Sequence, residues 1–79
     1  MNDKESYNIQ EVCEIVELPS HIICYWENEF PVLTPERDEF RRRIYSRKDV
    51  YLIARIRQLL YERRYTIAET KAVVSEEFR

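Results

Sequence analysis

Apolar side chains recur at helical intervals in four stretches of this chain, and each stretch carries its own start or stop signals. In the first, Ile9, Val12, Cys13 and Val16 fall at i, i+3, i+4 and i+7, with Glu11, Glu14 and Glu17 between them. That spacing predicts an amphipathic helix over roughly 9–17. Leu18-Pro19-Ser20 breaks it. Proline is tolerated in the first turn of a following helix, where its missing N–H has no helical partner to lose. The second helix is predicted over about 20–29, with Ile22 or Ile23, Trp26 and Phe30 toward the core, and Pro31 stops it. The third runs over about 47–63: Val50, Ile53, Ile56 and Leu60 line one side, and Leu52 and Leu59 widen the stripe. Such breadth predicts a central helix packed by several neighbours. The fourth covers about 67–79, with Ile67, Val74 and Phe78 on one face.

Three of the four starts share one device. Asn8, Ser46 and Thr66 each stand three residues before an acid, Glu11, Asp49 and Glu69. The first and third match the capping box, in which cap and acid satisfy each other's backbone amides. Asp49 is a shorter stand-in that still suits the positive helix end. Tyr7 with Val12, and Tyr45 with Val50, sit at hydrophobic-staple spacing around their caps. Between 31 and 45 the helical period vanishes. Val32-Leu33 and Ile44-Tyr45 flank a polar stretch, Thr34 to Arg43, which reads as a short hairpin without an Asn-Gly turn. Two short helices across a three-residue turn are a helix-turn-helix candidate.

Seventy-nine residues suffice for one domain with a modest core. No apolar run approaches the ~20 residues of a membrane span, so no membrane partner is expected. The polar start, Met1-Asn2-Asp3-Lys4-Glu5-Ser6, does not resemble a secretory signal, and two cysteines make no disulfide framework. A cytoplasmic location is expected. Charge changes the picture more. The net value of −2 and the pI of about 5.4 argue against a nucleic-acid partner, but the distribution argues for one. Residues 1–30 carry seven acids against Lys4, a net −6, and residues 31–57 carry eight bases against four acids, a net +4. Attraction to phosphate is local at physiological salt, where screening sets in at ~8 Å, so a basic patch can serve in an acidic chain.

Candidate chemistry is sparse. His21 is the lone histidine and has no Asp or Ser at a compelling spacing, and the chain has no glycine with which to build a phosphate loop. Cys13 and Cys24 lack the spacing of a zinc site, and Cys13 on the apolar face reads as a structural thiol. No catalytic residue, metal or cofactor is expected. The informative segment is 20–48. With Ile23, Trp26 and Phe30 inward, His21, Ile22, Cys24, Tyr25 and Asn28 are left on the open faces of the second helix. Arg37, Arg41, Arg42 and Arg43 follow in the hairpin. Arginine forks suit phosphate oxygens and guanine edges; equally, these arginines would make a solvated face if paired with Glu36, Asp38 and Glu39.

The order of residues resembles a family. Tyr7-Asn8-Ile9-Gln10-Glu11-Val12, Ile23-Cys24-Tyr25-Trp26-Glu27, Leu33-Thr34-Pro35-Glu36-Arg37, Arg43 to Val50, Ile53 to Leu60 and Tyr65-Thr66-Ile67 look like the DNA-binding domain of MerR regulators over about residues 6–75. The Tyr-Trp-Glu followed by Phe-Pro looks closest to a branch that includes cobalamin-binding light-sensing repressors. The resemblance implies a mainly α, winged helix-turn-helix domain over 1–79, with four helices and a short two-stranded wing. Its helix-turn-helix would occupy about 8–30, its wing about 31–45 and its later helices about 47–63 and 67–79. It implies sequence-specific binding to double-stranded bacterial promoter DNA as a transcriptional regulator. The second helix would enter the major groove with His21, Ile22 and Tyr25, while Arg37, Arg41, Arg42 and Arg43 grip the backbone from the wing. Tyr45 fits either a phosphate contact or wing packing. Homodimers would need a segment following the fourth helix, which these 79 residues do not include.

Two positions depart from the family pattern. Cys24 stands where most members carry a DNA-contacting arginine, which predicts weaker or altered reading. Arg41 stands where a wing glycine is usual, which predicts a different turn there, and its charge would partly compensate for Cys24. The rival reading is a MerR-like protein–protein interaction module that has lost DNA, favoured by the acidic pI and by Cys24. An excisionase-like architectural role would share the DNA contacts.

Overall fold

The computed structural model describes residues 5–79, so the reading of the polar start at Met1–Lys4 lies outside them. In chain order the elements are α1 (Ile9–Val16), α2 (Ser20–Glu29), β1 (Glu36–Arg37), β2 (Arg43–Ile44), α3 (Arg47–Arg57), which runs on into a π-helical turn (Gln58–Glu62), and α4 (Ile67–Glu77). This is a mainly α winged helix-turn-helix: α1 and α2 form the pair, and the two strands form the wing. β1 and β2 are antiparallel, with Glu36 opposite Ile44 and Arg37 opposite Arg43.

The helix starts form as the local signals dictate. Asn8, Ser46 and Thr66 each accept a hydrogen bond from the amide of Glu11, Asp49 and Glu69, and each acid takes the amide of its cap in return, at 2.8–3.0 Å. The Ser46–Asp49 box is as complete as the other two, because a carboxylate one methylene shorter still reaches. Helix ends show how a glycine-free chain turns corners. Glu17 closes α1 in the left-handed region at φ 58°, and Leu18 folds over it with its amide on the Cys13 carbonyl.

The third helix covers the predicted span, but its last turn widens. Arg63 donates to the carbonyl of Gln58 and Tyr65 to that of Leu59, closing the helix around a left-handed Arg64 at φ 59°. Apolar spacing cannot report this, because a single wide turn moves its side chains little around the axis.

One cluster fills the centre. Val12, Val16 and Leu18 come from the first helix and its exit, and Ile23, Trp26 and Phe30 from the second. Leu33 and Tyr45 flank the wing, Leu52, Ile53, Ile56 and Leu59 lie along α3, and Val74 is on α4. α3 packs against both α1 and α4, and α1 against α2. The buried stripe of α3 is thus Leu52, Ile53, Ile56 and Leu59, with Val50 and Leu60 half-buried at its margins. On α4 the buried residues are Thr70 and Val74, while Ile67 and Phe78 sit at the edge. Thr70 tolerates burial because its hydroxyl donates to the Thr66 carbonyl at 2.8 Å. Arg55 grips Glu77 with two bonds, 2.9 and 2.7 Å, and so clamps α4 to α3.

A contact that the spacing did not announce joins the start of the chain to the wing. Tyr7 and Tyr45 exchange backbone hydrogen bonds of 2.8 and 2.9 Å as an isolated antiparallel bridge. Tyr7, which lies just before α1, therefore braces the strand that leaves the hairpin.

Candidate nucleic-acid interface

α2 is anchored through Ile23, Trp26 and Phe30, all essentially inaccessible. At 3.6 residues per turn that anchorage decides what points outward. His21, Asn28 and Tyr25, the last 49% exposed, stand on the open face. Ile22 and Cys24 are half-buried, and Ile22 packs on the margin of the core, so it offers an edge and not a whole side chain. Pro19 precedes the helix and supplies no capping side chain. No side chain caps the first turn of α2, and the Ile22 amide turns back to the Pro19 carbonyl at 3.1 Å.

The wing turns on Asp38. Its Oδ1 accepts from the amides of Phe40 and Arg42 at 2.8 and 2.9 Å, and its Oδ2 takes Arg42 Nε at 3.0 Å. Those bonds, led by the one from the Arg42 amide, hold the carboxyl below its ordinary value. The main chain closes with Arg41 donating to the Asp38 carbonyl and Asp38 to that of Arg42, both at 2.9 Å. Arg41 itself takes φ 67°, the left-handed region glycine would occupy. The expectation that an arginine here would force another turn is therefore corrected. The side chain of Asp38 and the strand ladder over-determine the turn, and Arg41 bears the strain.

This geometry presents guanidinium groups to solvent. Arg37 is exposed and donates from Nη1 to the Arg41 carbonyl at 2.9 Å. Arg41 is exposed without an ion pair among the described residues, and Arg42 lies over the exposed Phe40 ring, 5.0 Å from its centroid. Of the three wing acids, only Asp38 pairs with a wing arginine. Glu36 and Glu39 do not, which removes most of the internal neutralisation that a merely solvated face would show. Arg47 and Lys48 at the start of α3 are also exposed.

Two predicted residues are tied inward to Glu27. Tyr45 is completely buried, and its hydroxyl donates to Glu27 Oε2 at 2.6 Å. Burial first, and that bond second, push its phenol far above its usual range, so it remains a proton donor inside the core. Tyr45 is therefore corrected from a candidate DNA contact to a packing residue. Arg43 is half-buried, with its Nε on Glu27 Oε1 at 2.7 Å, a bond that raises its affinity for the proton further. Glu27 is the residue that sequence reasoning passed over. A signal was present: an acid in the last turn of a helix opposes the macrodipole, so Glu27 called for a tertiary partner.

No group of three or more His, Cys, Asp or Glu residues suited to a metal occurs among the described residues. Burial pushes the Cys13 thiol up, away from the thiolate that coordination requires. No helix among them is long and apolar enough to cross a membrane.

Comparison with known proteins agrees with this geometry. Residues 7–77 match the family model described as MerR HTH family regulatory protein. No curated protein matches the chain. Among solved structures, the chain is similar to HiNmlR, a MerR family regulator lacking the sensor domain and bound to promoter DNA. That match has a TM-score of 0.76 and 17% identity and covers 89% of this chain and 52% of the other. It is also similar to a MerR family transcriptional regulator from Bacillus cereus, with a TM-score of 0.74 and 17% identity over 87% and 51% of the two chains. The chain thus spans about half the length of either structure.

Proposed function

The chain belongs to the MerR family of HTH regulatory proteins, and from that premise we propose that it is a DNA-binding transcriptional regulator domain that reads double-stranded bacterial promoter DNA. In this reading α2 lies in the major groove, where His21 and Tyr25 meet base edges or phosphates and Ile22 adds an apolar edge. Arg37, Arg41, Arg42 and Arg43 grip the flanking backbone from the wing. Phosphate contacts set position and affinity while the helix supplies sequence preference. Catalysis plays no part. Homodimerisation requires a segment following α4, and a single head binds one half-site weakly.

The observation that carries the proposal is the pair of exposed guanidinium groups, Arg37 and Arg41, free of ion pairs among the described residues on a wing tied to α2. The DNA-bound state of the similar HiNmlR structure supports the same reading. The test is a fluorescence-anisotropy titration of duplex DNA at several salt concentrations. Log affinity is expected to fall with log salt by about 0.9 per phosphate contact, and Arg37→Ala with Arg41→Ala to flatten the slope by about 1.8. A slope unchanged in that variant removes the wing from the interface. Absence of binding even at low salt rejects the DNA reading and leaves the protein-interaction module, which the acidic pI favours.

A further inference from the structure

Glu27 stands between the two elements assigned to DNA. Its side chain is 11% exposed, and each oxygen takes one donor from the strand opposite: Arg43 Nε at 2.7 Å and the Tyr45 hydroxyl at 2.6 Å. Arg43 and Tyr45 are two apart on an extended chain and so share a face. Tyr45 is immobilised by complete burial and by its backbone bridge to Tyr7. The carboxylate is consequently held at one end by the core, and it holds Arg43 at the other. Engagement through Nε fixes the plane of the guanidinium and leaves both terminal nitrogens without a partner among the described residues. The Arg43 side chain remains 31% exposed.

We propose that Glu27 is a positioning residue for DNA binding: it locks Arg43 as an outward-facing two-nitrogen fork at a set place beside α2. The inference rests on the DNA reading above and adds to it how wing and helix are held in register. It also explains why an acid is tolerated beside a phosphate-binding surface. Glu27 occupies the one guanidinium nitrogen that points inward, so the fork still faces out.

The geometry separates arginine from lysine at position 43. An ammonium is one point, and a lysine on Glu27 has no second nitrogen for a phosphate. In salt-dependence titrations of the full chain, Arg43→Lys is expected to flatten the slope by about 0.9, as Arg43→Ala does, although Lys keeps the charge. Adding Glu27→Gln to Arg43→Lys is expected to restore the wild-type slope, because the neutral amide no longer holds the ammonium. Both changes are conservative in size, and circular dichroism checks that each variant is folded. A role of Glu27 confined to fold stability would shift melting temperatures and leave Arg43→Lys, with or without Glu27→Gln, at the wild-type slope. If Arg43→Lys binds with the wild-type slope, or Glu27→Gln fails to restore it, the positioning role is overturned while the DNA reading stands. If the wild type does not bind duplex DNA, both fall together.

Discussion

Among the described residues of this glycine-free chain, three sit in the left-handed region, and all are charged: Glu17, Arg41 and Arg64. A side chain there costs on the order of 1–2 kcal/mol, because its Cβ crowds the following carbonyl. Glu17 and Arg64 close helices, but Arg41 is on the exposed tip of the wing, where glycine would serve the backbone better. Arg41→Gly is expected to stabilise the protein by about 0.5–1 kcal/mol, the relief of strain being partly offset by the freer unfolded chain. The melting temperature should rise by a few degrees. The same variant should bind DNA with a shallower salt slope, so that stability and binding move in opposite directions. A lower melting temperature would show that Arg41 makes a stabilising contact outweighing its strain. The identity of Arg41 was legible in the sequence, and its backbone angle was not. Position in a turn is decided by what the neighbours hold, here the two amides on Asp38.

At the scale of elements, local chemistry carried the helices. Caps, staples and the 3.6-residue period act within a few residues of one another, so Asn8, Ser46 and Thr66 locate their helices without knowledge of the rest. The wing depends on contacts of similar range but weaker logic. Its existence followed from the loss of helical period between 31 and 45, whereas the pairing of Glu36 with Ile44 required the fold. Because Asp38 organises the turn, the wing has a defined response to acid. Its carboxyl is depressed below 3.8 by donors present only in the folded hairpin. The stabilisation is therefore complete above 3.8, unaffected by titration between pH 7 and 5, and lost as pH falls through the depressed value. Amide shifts of Phe40 and Arg42 followed by NMR should titrate together with a midpoint below 3.8. A midpoint at or above that value would mean the Asp38 bonds do not persist in solution.

At the scale of the whole molecule, Tyr45 and Glu27 join what the chain separates. They stand eighteen positions apart in the chain, and their contact brings the wing's second strand to α2 beside the bridge with Tyr7. Removing only the hydroxyl, as Tyr45→Phe, leaves a carboxylate oxygen without its donor in a largely dry place. The expected cost is about 1–3 kcal/mol in denaturant unfolding. DNA affinity per folded molecule should fall less than in Arg43→Ala, because Glu27 loses its Tyr45 anchor but keeps its bond to Arg43. An equal loss of binding with no loss of stability would return Tyr45 to the interface.

The sequence by itself determined the helical elements, their starts, the anchoring of α2 by Ile23, Trp26 and Phe30, and the concentration of positive charge in the middle of the chain. Each depends on neighbours within a turn or two, or on composition alone. Only the tertiary structure decided which of the basic and aromatic residues are free to meet a ligand. It withdrew Tyr45 into the core, half-covered Ile22, and left Glu36 and Glu39 without wing arginines. It also gave Glu27 two donors from a distant strand. Exposure and pairing belong to surfaces brought together from far apart in the chain, and no spacing rule along a single strand or helix encodes them.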